Sequence, residues 1–83
     1  MERENLEIEV LRTINQNNPT ERELSKKLRK KTNGHEVHMT LRILQRVNCI
    51  MRDYHGRFYL KERGKYKLTI YYYMGEFYSR MKF

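Results

Sequence analysis

Between Val37 and Leu60 the spacing of apolar residues changes period, and this constrains the chain more than any other feature. Val37, Leu41, Leu44 and Val47 fall on one face of a helix, with Ile43 at its margin. Further on, Phe58 and Leu60 alternate with Arg57, Tyr59 and Lys61, as a half-buried strand does. Gly56, between two short strand-like runs, supplies the positive φ of a tight turn. The stretch therefore predicts a helix over about 35–47, a left-handed stop at Asn48, strands over about 49–53 and 57–61, and a turn through Tyr54–Gly56.

Two helices are expected before it. Leu6, Val10, Leu11 and Ile14 have helical spacing, which predicts a first helix over about 3–16. Glu2, Glu4 and Glu7 lie near its start, where the helix dipole favours anions, and Asn15–Pro19 ends it. Thr20-Glu-Arg-Glu23 fits a capping box and opens a second helix over about 21–31, with Leu24 and Leu28 inward. Five of the six residues from Lys26 to Lys31 are basic. Thr32-Asn33-Gly34 supplies a turn, with the left-handed conformation expected at Asn33 or Gly34.

The last third has two readings. Lys65–Ile70 alternates like a strand, and its Tyr and Ile content agrees with that. Tyr66, Ile70, Tyr73, Phe77 and Met81 also form a helical stripe, widened by Met74 and Tyr78. The run is too long for one ordinary strand, so a helix over about 62–82 is expected, weakened slightly by Gly64 and Gly75. The fold class that follows is α+β, mainly α, in a single domain over 1–83.

Charge is placed unevenly. Residues 1–21 carry Glu2, Glu4, Glu7, Glu9 and Glu21 against Arg3 and Arg12, a net −3; the remaining residues bring the chain to +8. An asymmetric basic surface on a small domain favours nucleic acid as partner, against the plainer reading of a solvated lysine-rich face. The chain holds one cysteine, Cys49, so no intramolecular disulfide forms. The N-terminus has no signal-peptide pattern and no stretch is apolar enough to span a membrane, so a reducing, cytoplasmic setting is expected. The absence of Ala and Trp, with abundant Lys, Tyr and Asn, fits an A+T-rich coding genome of viral or plasmid type.

From about Val10 to Gly64 these residues resemble the winged-helix transcription regulators of bacteria and archaea, of the antibiotic-resistance and arsenic-resistance repressor types. Thr20-Glu-Arg-Glu23-Leu24-Ser25 looks like the start of the helix before the recognition helix, and Val37, Leu41 and Leu44 match the recognition-helix core. Asn48-Cys49-Ile50 stands where these proteins have Gly and two aliphatics. Arg52-Asp53 through Arg57–Leu60 resembles the wing, and Arg63-Gly64 the entry to a C-terminal helix. Two departures are Asn at 48 and a longer, more basic Lys30–His35 segment.

The resemblance implies a double-stranded DNA-binding regulator built as a winged helix-turn-helix. The helix over 35–47 would enter the major groove, with His35, His38, Met39, Arg42 and Arg46 on its open face. Arg42 is the candidate guanine reader, while Lys26, Lys30, Lys31 and Arg46 are candidates for phosphate. Arg57, assisted by His55, would contact backbone or minor groove from a wing over about 52–58. Tyr66, Ile70, Tyr73, Met74, Phe77, Tyr78 and Met81 would pair two copies into a homodimer, since such a wide apolar arc exceeds what one small domain covers.

Other classes fit the residues less well. His35, His38, His55 and Cys49 lack the Cys pair or nearby carboxylate that would complete a zinc site, so no metal and no cofactor are expected. No Gly-rich phosphate loop, Ser/His/Asp arrangement or paired acid cluster points to an enzyme. Binding of RNA or single strands by the aromatic C-terminal segment, and a protein-interaction role for the same scaffold, stay open.

Overall fold

The computed structural model describes the backbone of residues 3–81 and the side chains of residues 5–74. Four helices and one antiparallel hairpin follow in the order α1 (Arg3–Asn17), α2 (Glu21–Lys27), α3 (Gly34–Arg46), β1 (Ile50–Arg52), β2 (Phe58–Leu60) and α4 (Glu62–Met81). This is the mainly helical α+β class expected from the two apolar periods.

Helix α1 lies at the centre, touching α3, β2 and α4. Its Val10, Leu11 and Ile14 are fully buried, and Ile8 and Thr13, outside the expected stripe, are buried too. Being covered from several sides, α1 buries more than one amphipathic face. It stops at Asn18, whose φ of 47° suits a residue that tolerates the left-handed region. Thr20 then caps α2 as expected: its Oγ1 accepts from Glu23 N at 3.2 Å, and its own N–H donates to Glu23 Oε1 at 3.0 Å.

Helix α2 is shorter than the expected 21–31. It ends at Lys27, and the N–H groups of Lys31 and Thr32 both fold back onto the Leu28 carbonyl. No residue from Arg29 to Glu36 is apolar, so nothing would bury a further helical turn. The left-handed residue expected at Asn33 or Gly34 is also absent. Asn33 is extended and caps α3, accepting from Glu36 N at 2.9 Å, and Gly34 is simply the first helical residue.

Helix α3 buries Val37, Thr40, Leu41 and Leu44. Val47, expected on that face, is 41% exposed. The helix ends one residue earlier, and the left-handed turn at Asn48 (φ 62°) sends the chain inward through Cys49 and Ile50 instead. Cys49 N donates to Leu44 O at 2.9 Å and Asn48 N to Gln45 O at 3.1 Å, the paired bonds of a Schellman stop.

The hairpin pairs Ile50 with Leu60, Met51 with Tyr59 and Arg52 with Phe58. Its three-residue loop closes with Gly56 N on Asp53 O at 3.0 Å and a Gly56 φ of 82°. The second strand is also held on its other side: Phe58 N donates to Pro19 O at 2.9 Å, and Thr20 bridges to Arg57.

The C-terminal segment is a helix, not a strand. Leu68 is buried, Lys67 Nζ bonds Glu7 Oε2 at 2.8 Å, and Arg12 Nε donates to the Tyr72 hydroxyl at 2.9 Å. The stripe of Tyr66, Ile70, Tyr73 and Met74 faces outward, and the side chains of Phe77, Tyr78 and Met81 lie outside the described residues.

Gly64, which weakens the helix by propensity, is what lets α4 approach the sheet: a Cβ there would overlap the Cys49 carbonyl oxygen. Gly64→Ala should therefore lower stability by about 1–3 kcal/mol despite better helix propensity. Gly34, with only Ser25 Oγ at 3.8 Å from such a Cβ, is the control. Gly34→Ala should raise stability by about 0.5 kcal/mol. Urea unfolding of both variants checks the pair of opposite signs.

Candidate nucleic-acid interface

The exposed surface of α3 meets the hairpin across an open cleft of about 530 Å³. Leu41 and Phe58 form its apolar floor, and Glu21, His38, Arg42, Gln45, Arg46 and Arg52 stand around it. Residues 35, 39, 42 and 46 recur at helical spacing, so His35, Met39, Arg42 and Arg46 share one exposed stripe of α3. His38 and Gln45 sit on the side of that stripe that lines the cleft.

Arg52 is a cleft residue absent from the sequence-derived set. Its guanidinium lies 5.7 Å from the centre of the Phe58 ring, directly across the hairpin. The turn through Tyr54–Gly56 pairs position 52 with position 58, so the register was the signal that places it.

A second opening, of about 620 Å³, adjoins the first and shares Glu21 and Arg52 with it. It lies between the start of α2 and the hairpin tip, with Arg22, Ser25 and His55 around it.

Ion pairing divides the candidate cations into two groups. Arg57 turns back onto the α1–α2 connection, donating to Asn18 O at 3.1 Å and reaching Glu23 Oε1 at 3.3 Å. His38 Nδ1 is 3.0 Å from Glu21 Oε2, and Lys31 Nζ is 3.4 Å from Glu9 Oε2. These three have carboxylates beside them. Lys26, Lys30, Arg42, Arg46 and Arg52 are exposed and have no ion-pair partner among the described residues. Surface pairs of this kind contribute little to stability, so the first group can exchange partners at small cost.

His35, His38, His55 and Cys49 are not brought together. Cys49 is buried while the three histidines are exposed, and among the described residues no three His, Cys, Asp or Glu side chains stand close enough to share a metal ion. No helix among the described residues is long and apolar enough to cross a membrane. No family model, curated protein or solved structure matches the chain.

Two carboxylates hold the hairpin loop and the start of α2. Asp53 Oδ1 accepts from the backbone N–H groups of Arg57 and His55, each at 2.9 Å, which fixes the hairpin loop. The Arg57 and then the His55 bond hold its carboxyl below the usual range. Glu23 is held low in the same way, first by the Thr20 backbone N–H, then by the Thr20 side chain and the Arg57 charge.

In both, the folded chain prefers the ionised form, so the unfolded chain takes up protons first as pH falls. The stability they add is present above the ordinary carboxylate pKa and is lost as pH drops through their lowered values. Urea midpoints should therefore decline below about pH 4, where free carboxylates titrate. The double variant Glu23→Gln/Asp53→Asn should show a flatter decline; a slope equal to that of the wild type would remove both groups from the explanation.

Proposed function

We propose that this chain is a sequence-specific, double-stranded DNA-binding regulator of the winged-helix type. In this reading α3 enters the major groove and the hairpin acts as the wing. The observation that carries it is the cleft between them, where Arg42, Arg46 and Arg52 stand exposed with no ion-pair partner among the described residues. Cations beside a groove-sized helix are what phosphate and guanine recognition require.

Each residue then has a part. Arg42, midway along the exposed stripe of α3, reads a base edge, with His35, His38 and Met39 towards the helix start beside it. Arg46 and Arg52 hold backbone phosphates on either side of the cleft, and Lys26 and Lys30 add contacts from α2 and the turn after it. His55 serves at the hairpin tip. Lys31 and Arg57 join by exchanging Glu9 and Glu23 for phosphate. The chain has net charge +8, which speeds encounter with DNA and makes affinity fall as salt rises.

The regulator works as a homodimer in a reducing, cytoplasmic compartment. Support for pairing comes from α4, where Tyr66 and Tyr73 are each 67% exposed and Ile70 and Met74 lie open between them. Tyr and Met are favoured at interfaces, and pairing removes this surface from water. Two copies of α3 would then read half-sites about 34 Å apart on a roughly palindromic site. The same exposed tyrosines favour a second reading, in which α4 stacks the bases of single-stranded RNA or DNA.

Selection of bound sequences from a random duplex pool, followed by titration of variants, tests the proposal. Arg42→Ala should lose about 1–3 kcal/mol at one base position, relaxing specificity there. Lys30→Ala should weaken all sequences alike, and the complex should hold two chains per site. Tighter binding to single strands than to any selected duplex would favour the second reading instead.

A further inference from the structure

Tyr54 is the most exposed large hydrophobic side chain in the described structure, at 93%. It sits at the tip of the hairpin, and the loop does not need it there. Asp53 supplies the side-chain acceptor and Gly56 the positive φ, while position 54 makes no demand for an aromatic ring. The loop is nevertheless held firmly, by Asp53 Oδ1 on two backbone N–H groups and by Gly56 N on Asp53 O. The Tyr54 ring centre is 4.1 Å from that of His55, tilted by 35°. His55 in turn faces the opening that holds Arg22 and Arg52.

The tip thus carries an exposed aromatic ring on a hydrogen-bonded loop, next to an opening lined by Arg22 and Arg52. We infer that Tyr54 is a base-stacking residue, whose ring packs against the face of a nucleobase while Arg22 and Arg52 hold the adjoining phosphates. This rests on the DNA-binding reading above but assigns a different contact from those of α3. A π-face is shared by all four bases, so the contact adds affinity without reading sequence. The base face can come from an unpaired nucleotide, which costs least to unstack, or from an intact step that the ring opens like a wedge.

The test compares wild type, Tyr54→Ala and Tyr54→Phe on the best-bound duplex and on versions with one unpaired adenine stepped along the site. The ring is in solvent, so neither substitution threatens the fold, and circular dichroism verifies this. Wild type should bind one bulged version more tightly than the intact duplex. Tyr54→Ala should lose roughly five- to hundredfold on that version, and Tyr54→Phe should retain most of the affinity. Equal losses for Tyr54→Ala on intact and bulged duplexes would support stacking on an intact step. If Tyr54→Ala matches wild type on every probe, or Tyr54→Phe loses as much as Tyr54→Ala, stacking is overturned while DNA binding stands. If wild type binds none of the duplexes, the DNA reading fails and this assignment falls with it.

Discussion

The position of Phe58 sets how the hairpin stands against the helices. Its ring is buried, its N–H donates to Pro19 O, and its carbonyl accepts from Asn18 Nδ2 at 3.2 Å. One residue of β2 is thereby tied to the connection between α1 and α2. Because Phe58 also pairs with Arg52 across the hairpin and floors the cleft beside Leu41, the same residue fixes how far the hairpin stands from α3. Left-handed turns at Asn18 and Asn48 bring the two segments into place, and each uses a residue type that enters that region at low cost. Loss of the Phe58 anchor would leave the hairpin joined to the helices chiefly through its ends, since an isolated two-stranded hairpin is marginal in water.

Electrostatics sharpens what this frame presents. The acids near the cleft are few, and the described ones are engaged: Glu21 with His38, Glu23 with Thr20 and Arg57, Asp53 with the hairpin loop. They position the rim and leave the arginines of α3 and β1 uncompensated. Away from these, Glu7 pairs with Lys67, fastening α4 to α1, and Glu9 is shared between Arg12 and Lys31. Acidic α1 thus serves as the counterion of the scaffold, and the proposed DNA surface keeps its net positive charge.

Most local chemistry was legible in the residues, although the left-handed turn expected at Asn33 or Gly34 gave way to a cap at Asn33; distant pairing was not legible. The capping box at Thr20–Glu23, the stop at Asn48 and the loop ending in Gly56 follow from rules that act over a few residues, and the length of the apolar stripe decides α4 for helix. The length of α2 escaped because periodicity continues through Leu28, whereas the helix needs a further apolar residue that Arg29–Glu36 does not contain. Val47 fits the buried stripe of α3 by spacing alone, but the helix ends before it. Ile8 is buried because a third element covers α1, which no window within α1 reveals. The same limit applies to the candidate site. Arg42 and Arg46 were visible on the open face of α3, and Arg52 needed the strand register. The partners of His38, Lys31 and Arg57 come from other elements, with Glu23 and Arg57 separated by 34 positions.

In the proposed complex the uncompensated arginines around the cleft hold DNA phosphates. The most direct measurement is the salt dependence of duplex affinity for wild type and for Arg46→Gln/Arg52→Gln. Each phosphate contact contributes about 0.9 to the slope of log affinity against log salt concentration. The double variant should bind more weakly with a slope shallower by about 2. An unchanged slope would contradict the assignment of these two arginines to phosphate, and with it the placement of DNA in this cleft.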